Sequence, residues 1–382
     1  IAGNSAGDRG HDLIGSQNFT TFTVNYSVIG DNDATPLVES QTVDAQGNFI
    51  GSSAGGGVID PLLTPLGYHG GPTQTHALLP GRPALDAGDP GAFPSPNNFD
   101  QRGAPYVRIA NGAGGLRIDM GAYERQSIAG LNLVVDTPFD EVDGDTSAGD
   151  LSLREAIGLA NGNAGADTIA FDPAVFGTPQ EILLVQGELD VYESLTIAGP
   201  GQELLTINAQ QISRVLYSST SNVDLTVQGV TLTGGRTFVS GVEGRGGAIR
   251  SRFFGTLTIE ESTITGNSTA NTSADGGALQ AGGDMVLTDV TVSGNSTAGD
   301  YADGGGIFAS GDVTLASSTV SGNTTAGEGA SGGGVYAGGT LTVTDSTVSD
   351  NSTFGSLAYG GGIYSKGDLA VTNITVSGNT TS

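Results

Sequence analysis

The densest group of side chains that could bind a ligand is an acidic loop at residues 140–150. It contains Asp140, Asp143, Asp145 and Asp150. Carboxylate oxygens at every second residue are typical of Ca²⁺-binding loops, and Asp143 and Asp145 have this spacing. The pattern then departs from a calcium loop, because such a loop has a glutamate at its twelfth position. Counted from Asp143, that position is occupied by Arg154. A weak Ca²⁺ site and a solvated acidic loop remain the two interpretations, and calcium is the one cofactor that the sequence suggests.

Two pairs of aspartates recur at a spacing of 28 residues. Asp275 precedes Asp303 by 28 positions, and Asp284 precedes Asp312 by the same interval. Two carboxyl groups about 5 Å apart are the arrangement of a retaining glycosidase. A polysaccharide-active enzyme would also need a basic residue close by, and Lys366 is the only lysine or arginine after Arg252. We therefore expect these aspartates to stabilise turns, and we predict that the protein is not an enzyme.

Three aromatic residues, Phe308, Tyr336 and Tyr364, follow one another at the same interval. We expect them to form a column that points outward from the protein. Aromatic rings at the separation of neighbouring strands stack on one another. A platform for sugar rings is the alternative interpretation of this column.

An asparagine column has the same period. Its members are Asn267, Asn295, Asn323, Asn351 and Asn379. Asparagine tolerates the left-handed backbone conformation of a tight turn, and stacked asparagine side chains also form hydrogen-bonded ladders. Both interpretations are structural, and they favour a role in folding over a role in ligand binding.

All of these spacings follow from one repeat of 28 residues, which runs through residues 246–382. A fixed period indicates stacked structural units. Each repeat holds three short runs of alternating apolar and polar residues, such as Leu341-Thr-Val-Thr, separated by Gly, Asn, Asp and Ser. Alternation of this kind indicates half-buried strands. The sequence therefore predicts an all-β parallel β-helix, a solenoid with three short strands in each coil.

The order of the segments predicts two β-helix units. Residues 1–125 hold short apolar strands at Leu13, Val28, Phe49 and Val58, followed by a Pro- and Gly-rich cap that closes one unit. Residues 126–130 form a linker. Residues 131–200 open the second unit with a strand, the acidic loop and a short capping helix at 152–161, where Ser152 and Glu155 form a capping box. Residues 201–382 then form its coils.

Composition limits the classes of partner. The chain of 382 residues has a net charge of −27, which repels nucleic acid and anionic membranes. It has no cysteine, so disulfides and thiolate zinc sites are excluded. No run approaches the roughly 20 apolar residues of a membrane span. The sequence opens on Ile1-Ala-Gly-Asn, which is similar to the end of a coil, and we expect any targeting signal to lie upstream.

Several segments carry a resemblance to a known family. Leu151-Ser-Leu-Arg-Glu-Ala-Ile resembles the signature of the CSLREA-type β-helix family of large bacterial surface and secreted proteins, although Leu151 stands in place of the family's cysteine. The closing signature of the family is similar to Asp60-Pro-Leu-Leu, Gly70-Gly-Pro-Thr-Gln-Thr-His-Ala-Leu-Leu-Pro-Gly, Pro83-Ala-Leu-Asp-Ala-Gly, Asp100-Gln-Arg-Gly and Asp119-Met-Gly-Ala-Tyr-Glu. The resemblance implies a right-handed β-helix at the cell exterior and implies no reaction.

Three functions remain open at this point. We favour a structural, extracellular β-solenoid at the cell surface, a segment or subunit of a fibre or surface layer that stacks head-to-tail with other copies through open coil ends. An adhesin that binds glycans or calcium is the second hypothesis. A polysaccharide-active enzyme is the third and least favoured.

Overall fold

The computed structural model describes residues 23–33, 35–79, 83–89, 99–103, 106–108, 110–112, 115–125, 130–163 and 165–382. The predicted strand at Leu13 and most of the predicted linker at 126–130 lie outside these residues. The chain divides into two compact units. One comprises the described residues up to Gly130 together with those of Asn161–Gly165, and the other comprises Leu131–Ala160 and Ala166–Ser382.

The second unit is a solenoid built from parallel sheets that run along its axis. Each regular coil contributes one short strand to every sheet, and equivalent strands of successive coils pair in register. The prediction of three strands per coil was too low by one. After the Gly-Asn turn, two residues such as Ser352–Thr353 form a fourth strand, which is too short to show an alternating pattern in the sequence.

The strands of the second unit fall into four sheets. The nine-stranded sheet contains Asn132–Val135, Asp167–Phe171, Leu195–Ala198, Leu225–Gln228, Leu257–Glu260, Met285–Thr288, Val313–Ala316, Leu341–Thr344 and Leu369–Thr372. The eight-stranded sheet contains Gln180–Leu183, Leu205–Asn208, Thr231–Thr233, Thr263–Thr265, Thr291–Ser293, Thr319–Ser321, Thr347–Ser349 and Thr375–Ser377. The seven-stranded sheet contains Leu189–Val191, Leu216–Ser218, Ile249–Ser251, Leu279–Ala281, Ile307–Ala309, Val335–Ala337 and Ile363–Ser365. The six-stranded sheet contains Arg236–Thr237, Ser268–Thr269, Ser296–Thr297, Thr324–Thr325, Ser352–Thr353 and Thr380–Thr381.

The core of the second unit is a set of apolar columns between these sheets. Leu257, Met285, Val313 and Leu341 form one column and are all buried. Side chains at the next position of each strand point away from the core, which is the alternation that a strand imposes. Burial of these columns is the main favourable contribution to the stability of the solenoid.

Helix α1 (Leu153–Gly162) begins one residue later than predicted. The predicted capping box is present, because the Glu155 N–H donates to Ser152 Oγ at 3.1 Å and the Ser152 N–H donates to the Glu155 carboxylate at 3.2 Å. A second helix, α2 (Pro173–Phe176), was not predicted. Asp172 caps it by accepting the N–H of Ala174 at 2.8 Å. A turn of 3₁₀ helix spans Gly241–Gly244.

The first unit has little regular structure. Val28–Ile29 pairs with Phe49–Ile50 in parallel, as predicted for the coils of a solenoid, and Ala110–Gly112 pairs with Gly115–Arg117 in an antiparallel hairpin. The strand predicted at Val58 is absent. A tight turn precedes that segment, because the Gly57 N–H donates to the Ser52 carbonyl at 3.0 Å. The Ile59 N–H donates to the Gly30 carbonyl at 2.8 Å, but no strand forms there.

Candidate functional site

Asp140 connects the acidic loop to other parts of the second unit. Its Oδ1 lies 2.6 Å from Nε of Arg154 in an ion pair. Its Oδ2 accepts the backbone N–H groups of Val185 and Gln186 at 2.7 and 3.0 Å. The side chain of Asp140 is buried. Because a buried charge needs such partners, the role that the structure gives Asp140 is to hold the loop in place.

The other carboxylates of the loop do not converge on Asp140. Asp143 Oδ1 accepts the N–H of Asp145 at 2.8 Å, and Asp145 Oδ1 accepts the N–H of Ser147 at 2.9 Å, so both stabilise turns of the loop. Within the described ranges, no three histidine, aspartate or glutamate side chains come together as a metal site. The structure therefore does not assemble Asp140, Asp143, Asp145 and Asp150 into one site, and calcium binding stays a prediction.

The asparagine column forms a hydrogen-bonded ladder inside the solenoid. Asn323 Nδ2 donates to Asn351 Oδ1 at 2.9 Å and to the Val292 carbonyl at 2.9 Å. The same side-chain contact joins each neighbouring pair from Asn267 to Asn379. The left-handed interpretation is wrong for the asparagines themselves, because it is the preceding residue, such as Gly322 with φ of 63°, that adopts that conformation.

The aromatic column stacks but does not form an open platform. The ring centroids of Phe308 and Tyr336 are 4.9 Å apart, and those of Tyr336 and Tyr364 are 5.1 Å apart. The rings point away from the core, yet Phe308 is only 8% exposed and Tyr336 only 5%. Arg245 lies over the Phe308 ring at 5.5 Å, and Lys366 lies over the Tyr336 ring at 5.3 Å. The rings therefore stack and point outward as expected, but other side chains cover two of the three, which disfavours the alternative of a sugar platform.

Asp275, which is buried, and Asp303, which is half-buried, lie on successive coils beside this column, and we call them the buried carboxylate ladder. Asp275 Oδ1 accepts the N–H of Asp303 at 3.0 Å, and Asp303 Oδ1 accepts the N–H of Ser331 at 2.7 Å. Asp275 Oδ2 also lies 2.8 Å from Nε of Arg245. The ladder therefore combines two carboxylates with one arginine, a combination that was not predicted from the sequence.

Burial makes the two carboxyl groups weaker acids than an exposed aspartate. It raises the pKa of Asp275 to about 7 and the pKa of Asp303 to about 6, although the positive charges of Arg245 and Lys366 act in the opposite direction. Carboxyl groups with such a pKa occur in catalytic sites and in structural ion-pair networks. The spacing of the repeats could have identified Arg245 as a neighbour of Asp275. The coil that begins at Ile249 is 30 residues long, and Arg245 stands 30 residues before Asp275, so the two residues occupy equivalent positions of successive coils.

Earlier strands of the same seven-stranded sheet carry a network of ion pairs. Arg214 Nη1 lies 2.6 Å from the Glu188 carboxylate, and Arg250 Nη1 lies 2.8 Å from the Glu243 carboxylate. The guanidinium carbons of Arg214 and Arg250 lie 5.0 and 5.2 Å from the centroid of the Tyr217 ring. These arginines are thus neutralised within the fold and extend the buried polar surface beside the carboxylate ladder.

The closing segments of the first unit meet in a second polar network. Arg102 Nη2 lies 2.7 Å from Asp100 Oδ2, and both side chains are buried. The guanidinium carbon of Arg102 lies 3.8 Å from the ring centroids of Tyr106 and Tyr123. The Glu124 N–H also donates to Asp100 Oδ2 at 2.8 Å. These contacts explain why the closing segments combine an aspartate, an arginine and a tyrosine.

The coil that contains Ile363–Ser365 has one open edge. Leu369, Val371 and Val376 are 52%, 48% and 53% exposed, whereas Leu341, Val343 and Val348, the equivalent residues of the preceding coil, are buried. The exposed backbone groups of such an edge form hydrogen bonds with any strand that adds to it.

Comparison with protein families agrees with this geometry. Residues 205–381 match the family model described as the right-handed β-helix region. The second unit is a right-handed β-helix. Neither the search of curated proteins nor the search of solved structures found a match to the chain. Among the described residues of the β-helix and of the first unit, no helix has the length and apolar character needed to cross a membrane.

Proposed function

We propose that the chain is a structural component of an extracellular β-solenoid, in which coils add to one another through open edges. The observation that carries this proposal is the set of equivalent contacts between successive coils, such as the asparagine ladder from Asn267 to Asn379. In the coil that contains Ile363–Ser365, the side chains of Leu369, Val371 and Val376 are about half exposed. A further coil would cover these side chains and pair with the strands Leu369–Thr372 and Thr375–Ser377. That coil can belong to the same polypeptide or to another copy of the chain.

The rest of the β-helix supports a structural role. The asparagine ladder and the aromatic stack link successive coils with identical contacts. A contact that joins unlike surfaces head to tail and does not close on itself produces a filament. Regular contacts along the axis therefore suit a rigid, extended element of a fibre or surface layer.

Electron microscopy and sedimentation of the purified chain test this proposal. We expect filaments or end-to-end oligomers that lengthen with concentration. The double variant Leu369→Glu/Val371→Glu should prevent them, because it places two charges where apolar side chains must be buried. Thr342→Glu is the matched control, since Thr342 lies on the outward face of the preceding strand and should leave assembly unchanged. Isolated particles at every concentration would contradict assembly through this edge.

The buried carboxylate ladder favours a second candidate, activity on polysaccharides. Asp303 is a carboxyl group with raised pKa, and Lys366 and Tyr336 lie next to it. Such a group can donate a proton to a leaving oxygen. Assays of the chain on neutral and acidic polysaccharides test this candidate, and turnover that Asp303→Asn abolishes would support it. Absence of turnover on all substrates leaves the ladder as a structural element.

Location and subfamily are also proposals. The CSLREA-type assignment is supported by the capping segment at Leu151 and by the closing segments of the first unit, which meet in one polar network. Proteins of that type lie at the cell exterior, and the net charge of −27 and the lack of cysteine suit such a place. Protease treatment of intact source cells should remove the protein if it is displayed at the surface.

A further inference from the structure

The five asparagines of the ladder are also acceptor sequences for N-linked glycans. Each begins a triplet Asn-X-Ser/Thr, as in Asn267-Ser-Thr, Asn323-Thr-Thr and Asn351-Ser-Thr. The enzymes that attach glycans to asparagine recognise this triplet, which in a secreted protein normally lies in a surface loop. The ladder is the opposite case, because Asn267, Asn295, Asn323 and Asn351 are at most 1% exposed.

Both amide hydrogens of a ladder asparagine are used inside the fold. Asn323 Nδ2 donates to the Val292 carbonyl and to Asn351 Oδ1, each at 2.9 Å. Asn351 Nδ2 donates in the same way to the Val320 carbonyl and to Asn379 Oδ1, each at 2.9 Å. The folded ladder therefore has no spare amide hydrogen at these two positions.

Transfer of a glycan removes one of these hydrogens. A bond forms between Nδ2 and the anomeric carbon of the sugar, the bond from that carbon to its lipid pyrophosphate carrier breaks, and Nδ2 releases a proton. At Asn323, either the Val292 carbonyl or Asn351 Oδ1 would then lose its donor. A buried acceptor that loses its donor destabilises the fold.

The fold also leaves no space for a sugar at these amides. The backbone of Gly334 lies directly against Asn351, so that even a Cβ atom added to Gly334 would come within 3.0 Å of Nδ2. Gly306 lies against Asn323 in the same way, and its added Cβ atom would come within 3.2 Å of Nδ2. Because a sugar ring is much larger than one carbon atom, a glycan on either asparagine would force neighbouring coils apart.

A ladder amide is not yet protected when its triplet is synthesised. Asn351, which accepts the hydrogen bond from Asn323, lies 28 positions further along the chain. Because each coil of a solenoid contacts only its neighbours, the Asn323 amide becomes buried only when the following coil has formed. Until then, the triplet is part of an unfolded segment that a glycan-transferring enzyme can reach.

We propose that N-linked glycosylation and folding of the β-helix exclude each other, so that this chain folds only where no glycan is transferred to its asparagines beforehand. The observation that carries the proposal is that one amide is both the acceptor for the glycan and a buried donor of the ladder. Triplets outside the ladder differ, since Asn25 and Asn373 are exposed and a glycan there extends into solvent. The proposal concerns biosynthesis and is independent of filament formation.

Production of the full chain by two routes in the same mammalian cells tests the proposal. We expect the chain to fold in the cytosol, where no oligosaccharyltransferase acts, and to show a cooperative melting transition. With a secretion signal added, we expect mass spectrometry to find glycans on the ladder asparagines of a chain that is retained in the cell and rapidly digested by protease. Tunicamycin, which blocks synthesis of the lipid-linked sugar donor, should restore folding in the secretory route.

A variant without the ladder triplets is the matched control. Thr→Val at the third position of each triplet removes the acceptor sequence and keeps every asparagine. These positions are Thr269, Thr297, Thr325, Thr353 and Thr381. The hydroxyl groups of Thr325 and Thr353 are buried without a partner among the described residues, so their loss should cost little stability. This variant should fold by both routes.

A second variant, Ser27→Ala/Thr375→Val, removes the exposed triplets of Asn25 and Asn373 instead. It should behave like the wild type and fold in the cytosol only. The proposal is overturned if the wild type folds in the secretory route, whether its ladder asparagines carry glycans or escape them. It is also overturned if tunicamycin does not restore folding, because the failure then has another cause. Should the variant without ladder triplets fold by neither route, the tunicamycin comparison decides the question.

Discussion

Asn323 is hydrogen-bonded to the coils on both sides of it, so its side chain tests the asparagine ladder. Asn323→Ala removes the donor to the Val292 carbonyl and the acceptor that Asn295 uses. Each buried polar group left without a partner costs about 1–3 kcal/mol. We expect a loss of at least about 2 kcal/mol in the free energy of unfolding, measured by denaturant titration.

Asn373→Ala is the control for that variant. Asn373 Nδ2 donates to Asp345 Oδ1 at 3.0 Å, but this contact is exposed. Water replaces an exposed hydrogen bond, but Asn373 has a φ of 52°, a conformation that alanine disfavours, so the change should cost about 1 kcal/mol and less than Asn323→Ala. Equal effects of the two variants would show that burial of the ladder is not what makes Asn323 important.

Asp140 allows a similar test in the acidic loop. Asp140→Asn leaves Arg154 without its ion pair, and removal of one partner of a buried pair costs about 3 kcal/mol. Asp145→Asn should have little effect, because Asp145 is exposed. Thermal denaturation of both variants measures this difference. A rise of the wild-type melting temperature with Ca²⁺ that is lost in Asp145→Asn would instead show that the loop binds calcium.

These residues also show what the sequence could predict. The hydrogen-bonded ladder was one of two predicted roles of the asparagines, since a fixed period places equivalent side chains above one another. The role of Asp140 was not predictable, because its partners Val185 and Gln186 lie about 45 positions away without any repeat to relate them. Periodic contacts can be predicted from one sequence, whereas a single contact between irregular segments requires the structure.

At the scale of elements, the buried carboxylate ladder should make stability depend on pH. The pKa values of Asp275 and Asp303 are raised in the folded protein to about 7 and about 6. Their protonated forms are therefore favoured by folding, and their contribution to stability is lost as the pH rises through these values. We expect the melting temperature to fall between about pH 4 and pH 7, from the pKa of an unfolded aspartate to the raised pKa of Asp275, and to fall less in Asp275→Asn/Asp303→Asn.

The exposed aspartates Asp284 and Asp312 give a matched control with the same hydrogen bonds. Asp284 Oδ1 accepts the N–H of Asp312 at 2.9 Å, and Asp312 Oδ1 accepts the N–H of Thr340 at 2.7 Å. Asp284→Asn/Asp312→Asn should keep the pH dependence of the wild type. If Asp284→Asn/Asp312→Asn loses the pH dependence of stability and Asp275→Asn/Asp303→Asn keeps it, burial of Asp275 does not cause that dependence.

The strands themselves were predictable to different degrees. Runs such as Leu341–Thr344 alternate in polarity, and their strands were predicted. The two-residue strands after each Gly-Asn turn were missed, because two residues cannot display a period. The covering of Phe308 and Tyr336 was missed for another reason. Their exposure depends on Arg245 and Lys366, and an alternating pattern shows the direction of a side chain but not what lies above it.

At the scale of the whole molecule, the repeat predicts the β-helix but not the first unit. Each coil of a solenoid contacts only its neighbours, so one period fixes the pairing of every strand. The first unit has no such period. Contacts such as that between Asp86 and Asp119, where the Asp86 N–H donates to Oδ1 at 2.6 Å, join residues 33 positions apart. Its contacts therefore became visible only in the structure.

An inner coil contacts a neighbouring coil on both sides, whereas the coil at the open edge contacts a neighbour on one side only. Val320 is 1% exposed and Val376 is 53% exposed, although both occupy the same position of the eight-stranded sheet. Val320→Ala should cost about 2 kcal/mol, since it removes buried methyl groups. Val376→Ala should cost less than about 0.5 kcal/mol in dilute solution. Denaturant titration at low protein concentration measures both values.

Assembly should remove this difference. If another copy adds its coil to the open edge, Val376 becomes buried and its replacement by alanine becomes about as costly as that of Val320. The stability of the wild type should then rise with protein concentration, as it does for any association of folded chains. The stability of Leu369→Glu/Val371→Glu should not, because its edge cannot be covered. A different result would contradict this contact. If Val376→Ala lowers the free energy of unfolding only slightly at every protein concentration, and filaments still form, then the copies contact one another elsewhere on the molecule.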